Sequence, residues 1–176
     1  MKISETDKRN YTLIRSNVEN IYKQLSELHD NDNNLILDVA PQTHKGTREF
    51  FKRCSIETLD IDVNSNSTFL GDLCKNNSEL IPDNRYDLIF CMEVLEHVTN
   101  PFAAAKEIYR MLKPDGLAVV STPFNFRIHN PLPDNWRFTE HGLKILFNSF
   151  NEVNVMPLND EDRFLMPIHY ILIGKK

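Results

Sequence analysis

Three aspartates and one histidine occupy positions where ligand chemistry would need them. Asp38 sits near the end of the apolar run Leu35–Val39, and Asp60 sits near the end of a second run, Ile56–Ile61, 22 residues further on. In a nucleotide-binding strand–helix–strand unit, the turn after the first strand and the following helix N-terminus face the ligand. An acid about 20 residues on, at the end of the second strand, accepts hydrogen bonds from ribose hydroxyls. Asp72 follows a third short run, Thr68–Leu70. There it can accept from an exocyclic amine such as that of adenine while the Leu73 N–H serves a ring nitrogen, or it can cap a helix, and both readings stay open.

His129 is the candidate general base, because an ordinary imidazole is largely neutral near pH 7 and can take a proton from a hydroxyl. It lies in the loop Pro123–Thr139, with three prolines, the only tryptophan and two arginines. Arg137 in that loop can meet an acidic substrate or pair with a local acid, Asp134 or Glu140, while Trp136 and Phe138 are expected to anchor the loop in the core. Glu93, Glu96 and His97 invite a metal reading, but they are too few and poorly spaced, so no metal site is expected.

The elements that must hold these groups follow from the apolar periodicities. Residues 8–29 carry Tyr11, Ile14, Val18, Ile21, Leu25 and Leu28 on one face of a helix that packs on the sheet edge or covers the ligand. The polar stretch His29–Asn34 ends it. Strands are expected at Leu35–Val39, Ile56–Ile61, Thr68–Leu70, Tyr86–Met92, Leu117–Thr122, Val153–Met156 and Tyr170–Ile173, and helices at Gly46–Arg53, Pro101–Leu112 and Thr139–Phe150. The first turn is unusual: Ala40-Pro41-Gln42-Thr43-His44 stands where glycines normally allow positive φ and close approach to phosphate, and the first glycine is Gly46. A pyrophosphate fits poorly there, which argues against NAD.

Composition narrows the classes. The chain has 176 residues, 41% hydrophobic and 26% charged, the profile of one globular domain with a core of its own, read as an N-terminal helix over 1–30 and a core over 35–176. A net charge of −5 makes nucleic acid an unlikely partner. No run of about 18 apolar residues and no hydrophobic signal core is seen, so no membrane span is expected and the location is expected to be cytoplasmic. Cys54, Cys74 and Cys91, odd in number and far apart, fit buried thiols.

The run YDLIFCMEVLEHVTNPFAAAKEIYRMLKPDGLAVVSTPF, residues 86–124, closely resembles the class I S-adenosylmethionine-dependent methyltransferases, in particular the small Rossmann-like enzymes related to ubiquinone and menaquinone biosynthesis. The resemblance extends back through Leu35–Asp72 and forward through Trp136–Thr139. It implies an α/β fold, a doubly wound seven-stranded sheet, mostly parallel with an antiparallel C-terminal strand. It implies S-adenosylmethionine as cofactor, with Asp38, Ala40, Pro41, Gln42 and His44 at its methionine end, Asp60 on the ribose, Ile61 on the adenine face, Asp72 and Leu73 at the adenine edge, and Met92 lining it from the fourth strand. It further implies methyl transfer to a small polar metabolite, such as a sugar or nucleotide-sugar, met by Glu93, Phe124, Trp136 and Arg137 with His129 as base. Little chain is left over for a substrate cap, so a homodimer partner is expected to complete the pocket. A second reading, prompted by the glycine-poor turn, is a degenerate relic of the fold acting as a binding or partner subunit.

Overall fold

The computed structural model describes residues 3–41, 46–159, 161 and 164–176; Gln42 and His44 lie outside the described residues. In chain order the elements are α1 (Glu5–His29), β1 (Leu35–Val39), α2 (Thr47–Phe50), β2 (Ser55–Asp60), β3 (Phe69–Leu70), β4 (Tyr86–Met92), α3 (Pro101–Met111), β5 (Leu112–Pro123), α4 (Glu140–Leu146), β6 (Glu152–Leu158) and β7 (His169–Lys175). They build one seven-stranded sheet in the order β3-β2-β1-β4-β5-β7-β6. β7 runs antiparallel to both its neighbours, and the remaining pairings are parallel. The sheet therefore has the expected direction pattern, with β7 inserted between β5 and β6.

Alternation along the buried strands feeds two cores. Leu37, Val39, Ile89, Cys91, Ala118 and Val120 pack with α3 and α4. Ile36, Leu88, Phe90 and Val119 face the other way, onto Val18, Ile21, Tyr22 and Leu25 of α1. Side chains two apart share a face, so Asp38 points to the α1 side with Ile36.

Several boundaries differ from the sequence expectation, each for a local reason. α2 is only one turn long, because the Asp30 carboxylate accepts from the backbone N–H groups of Lys52, Arg53 and Cys54 at 3.0, 2.8 and 3.1 Å and draws the chain out of helical geometry. Phe51 is consequently extended (φ −94°, ψ 117°) and buried. On α1, Tyr11 and Leu28 are exposed despite their helical spacing, and Asn10 takes a buried place by donating to the Asn125 carbonyl at 3.2 Å. β5 begins at Leu112, but its register with β4 jumps from Tyr86↔Leu112 to Leu88↔Leu117, so Lys113–Gly116 loops out of the ladder. α4 stops at Leu146 although Phe147 and Phe150 are still buried, and Thr139 caps it as expected by accepting from the Gly142 N–H at 3.1 Å. Trp136 is not a core anchor: it is 40% exposed, lies over Phe138, and donates its indole N–H to the Val98 carbonyl at 2.8 Å.

Candidate functional site

A cavity of about 260 Å³ opens at the C-terminal edge of the sheet, between α1, the end of β1 and the β4–α3 connection. Its wall includes Asp38, Ala40, Pro41 and Met92, together with Glu93 and His129. Doubly wound sheets bind ligands at this edge because the loops there diverge. α1 contributes Tyr11, Arg15, Glu19 and Tyr22, so part of the cover expected from a partner subunit comes from the chain's own first helix.

On either side of this glycine-poor stretch the described residues keep the positive φ that glycines usually supply. Ala40 takes a positive φ of 49° and Gly46 one of 52°. Thr47, buried behind them, donates to Asp38 Oδ2 from its backbone N–H at 3.1 Å and its hydroxyl at 2.8 Å. A Cβ on Gly46 would come within 2.5 Å of that same oxygen. The close approach has thus moved from the turn to Gly46, where the chain passes against a buried carboxylate. Burial pushes the Asp38 carboxyl up to about 6, against the two Thr47 hydrogen bonds that favour its charged form.

Asp60, Ile61, Asp72 and Leu73 lie outside the cavity wall, further along the same edge at the ends of β2 and β3. Asp60 is buried and accepts from the Asp62 N–H at 2.9 Å, while its carbonyl accepts from the Gly71 N–H at 2.9 Å, which ties β2 to the turn after β3. Ile61 is 68% exposed, an apolar platform beside that acid. No helix follows Asp72; its carboxylate accepts from the Cys74 N–H at 2.9 Å, a two-residue turn, so the helix-cap alternative drops out. Met92, Asp38, Asp60 and Asp72 end or follow four adjacent parallel strands, a row that can hold an extended ligand across the sheet edge.

At the other end of the row the loop groups are tied to one another. His129 Nδ1 lies 3.0 Å from Asp134 Oδ2, which also accepts the His129 backbone N–H at 3.0 Å. Of the local acids open to it, Arg137 takes Asp134, donating at 2.5 and 2.8 Å, and its Nη1 and Nη2 also donate to the carbonyls of Trp136 and Arg127. Burial alone would raise Asp134, but the Arg137 and His129 hydrogen bonds prevail and hold it down at about 2. Arg137, Trp136 and Phe124 stand outside the cavity wall, Phe124 packing on Tyr170; of the four expected substrate contacts only Glu93 lines it.

Glu93 turns away from its sequence neighbours to meet His169 Nε2 at 2.6 Å. Among the described residues, the groups whose ligand atoms converge are Glu96, His97 and His129, within 4.8 Å of one another. The fold replaces Glu93 by His129 in the trio considered from sequence. These three side chains are the ones that could hold a metal ion, although His129 joins them from 33 residues beyond Glu96. Glu96 is fully buried with neither carboxylate oxygen hydrogen-bonded, and burial and the nearby Glu93 raise it well above the ordinary range. His169 was not a candidate from motif spacing, and Asp134 was one only as a partner for Arg137, since their roles toward Glu93 and His129 depend on which loops the sheet brings together.

Comparison with known proteins agrees with this architecture. The model of a family described as a methyltransferase domain matches residues 9–154. Over 70 residues the chain is 34% identical to a ubiquinone biosynthesis O-methyltransferase of Rickettsia typhi, a match covering 40% of this chain and 28% of the relative. A protein of the same description from Bradyrhizobium diazoefficiens is 45% identical over 49 residues, 28% of this chain and 19% of the relative. The matched stretch thus spans well under a third of either relative. Among solved structures, an S-adenosylmethionine-dependent methyltransferase from Archaeoglobus fulgidus superposes with a TM-score of 0.68 at 14% identity, covering 90% of this chain and 94% of that one. A Haemonchus contortus phosphoethanolamine N-methyltransferase, solved with phosphomonomethylethanolamine and S-adenosylhomocysteine, gives 0.67 at 14% identity over 90% of this chain and 52% of that one.

Proposed function

The chain belongs to the methyltransferase-domain family and has the fold of the S-adenosylmethionine-dependent enzymes, and from that premise we propose that it transfers a methyl group from S-adenosylmethionine to a hydroxyl oxygen of a small polar metabolite. The observation that carries the proposal is the row of Asp72, Asp60, Asp38 and Met92 along four adjacent strand ends, leading into a cavity that also holds Glu93 and His129. The residues fit the cofactor: Asp60 would take the ribose hydroxyls beside the exposed Ile61, Asp72 with the Leu73 N–H the adenine edge, and Asp38 with the Ala40–Pro41 turn the methionine end. When bound, the sulfonium supplies an already activated methyl group, so the protein's task is alignment, dehydration and proton removal.

His129 is suited to the last of these. Asp134 fixes the proton on Nδ1 and leaves Nε2, 3.8 Å from Glu96 Oε1, as the acceptor nitrogen, and Arg137 keeps the Asp134 carboxylate in place. The relatives named as O-methyltransferases support an oxygen acceptor; they lend nothing specific to a sugar or nucleotide-sugar, which remain members of the polar class proposed. Free cysteines, and no helix among the described residues long and apolar enough to cross a membrane, support a cytoplasmic setting. The degenerate-relic reading is not favoured, because the turn retains positive φ at Ala40 and close approach at Gly46.

The experiment is titration of the cofactor-stripped protein with S-adenosylmethionine and S-adenosylhomocysteine, followed by a radiolabelled-methyl screen of hydroxyl acceptors. Micromolar binding that Asp60→Ala abolishes supports the reading. Unchanged affinity in Asp60→Ala moves the ribose role to Asp62, and no binding by the wild type overturns the proposal.

A further inference from the structure

Glu93 is held from behind with unusual completeness. Its backbone adopts a left-handed φ of 56°, a conformation that is strained for an ordinary residue and persists only when the surroundings fix it. The fixing comes from Ser121 on β5: the Glu93 N–H donates to the Ser121 carbonyl at 3.2 Å and to its hydroxyl at 3.1 Å, and that hydroxyl donates to Glu93 Oε1 at 2.8 Å. His169 on β7, fully buried, adds a second donor to the same oxygen at 2.6 Å. The ring proton can be placed: the Asn17 amide nitrogen, which only donates, lies 3.1 Å from His169 Nδ1, so Nδ1 accepts and Nε2 carries the hydrogen.

Both side-chain hydrogen bonds therefore fall on Oε1, while the Glu93 side chain, 23% exposed, borders the cavity. Burial works against its charge, but His169 and Ser121 outweigh it and keep the carboxyl below its ordinary value. The same wall carries Asp38, Glu19 and Glu49 against one guanidinium, Arg15.

We propose that His169 is the positioning residue of Glu93, fixing Oε2 toward the cavity as the acceptor for a hydrogen bond from a polar group beside the methyl-accepting hydroxyl, whose own proton goes to His129, so that the site takes a second hydroxyl or an ammonium at that end and excludes carboxylates and phosphates. The inference rests on the methyl-transfer reading of the cavity and adds a rule for its acceptor. Ordering a carboxylate this way costs nothing further when the acceptor arrives, and an anion would meet uncompensated negative charge.

The test uses three probes of one shape and different head groups, benzyl alcohol, benzylammonium and benzoate, titrated into the S-adenosylhomocysteine-saturated protein and followed by chemical-shift changes at Glu93 and His129. Wild type is expected to bind the alcohol and the ammonium at least about tenfold more tightly than benzoate. His169→Gln, which keeps a donor at similar reach, should preserve that ranking, and His169→Leu should compress it to less than about threefold. Benzoate binding equally well, no probe binding at the site, or an unchanged ranking in His169→Leu each overturns the proposal. Titration of S-adenosylhomocysteine itself separates the two levels: if wild type does not bind it, the methyl-transfer reading fails, whereas binding with the wrong probe ranking removes only the role of His169. Loss of S-adenosylhomocysteine affinity in Glu93→Gln would assign the carboxylate to the cofactor's ammonium and also overturn the proposal.

Discussion

His129 Nδ1 and Asp134 Oδ2 lie 3.0 Å apart, and the same carboxylate is gripped from the other side by Arg137. A carboxylate on Nδ1 selects one tautomer and presents Nε2 as the proton acceptor, so the pair works as a unit although only the histidine borders the cavity. Asp134→Asn should release that tautomer. Methyl transfer to a hydroxyl acceptor is expected to fall about 100-fold, with S-adenosylhomocysteine affinity nearly unchanged. Nitrogen-15 NMR of His129 should show the Nδ1–H form in wild type and a tautomer mixture in the variant; a wild-type ring protonated on Nε2 would contradict the assignment.

Gly46 is where the turn needs a residue without a side chain. Its φ of 52° and the 2.5 Å approach of a built Cβ to Asp38 Oδ2 both oppose any substitution. Gly46→Ala is expected to cost about 2 kcal/mol in urea unfolding and to weaken S-adenosylhomocysteine binding, because Asp38 must shift. Wild-type stability and affinity would show that the approach relaxes freely.

Asp38 gives a pH dependence of definite sign. Its carboxyl titrates at about 6 in the folded chain and near 3.8 when unfolded, so below 3.8 both states hold the proton and above 6 both are charged. Between these values the folded state binds more protons, and stability falls as pH rises, by about 3 kcal/mol in total from this one group. Relative to wild type, Asp38→Asn should therefore gain stability between pH 4 and pH 7, read as the difference in unfolding midpoints at the two ends. A pH-independent difference would place the Asp38 carboxyl in its ordinary range.

Asp30 ends α2 by collecting three backbone N–H groups. Asp30→Ala leaves these donors to water and is expected to destabilise the fold by about 1–2 kcal/mol, with hydrogen exchange rising selectively at Lys52, Arg53 and Cys54. Uniform exchange changes across the sheet would assign the effect elsewhere.

The central strands β1, β4 and β5 were legible because each is an apolar run long enough to be buried on both faces, and Asp60 was legible as a strand end because its distance from Asp38 reports the length of the intervening turn, helix and strand. The length of α2 was not, since the group that ends it, Asp30, lies more than 20 residues upstream and acts only once β1 is paired. Arg137 could be narrowed to two local acids, and the choice between them required the loop's path. The Glu93–His169 contact spans 76 positions and depends on β7 entering the sheet between β5 and β6, which no local pattern encodes. Trp136 shows the opposite error: a large apolar side chain suggested burial, while its indole N–H is satisfied at the surface by Val98.

Methyl transfer by this chain requires that a turn without its usual glycines still serves an S-adenosylmethionine site. The most direct measurement is isothermal titration of the cofactor-stripped protein with S-adenosylhomocysteine, beside Asp60→Ala. One site of micromolar affinity is expected in the wild type and none in the variant. Absence of heat and of thermal stabilisation in the wild type would contradict it.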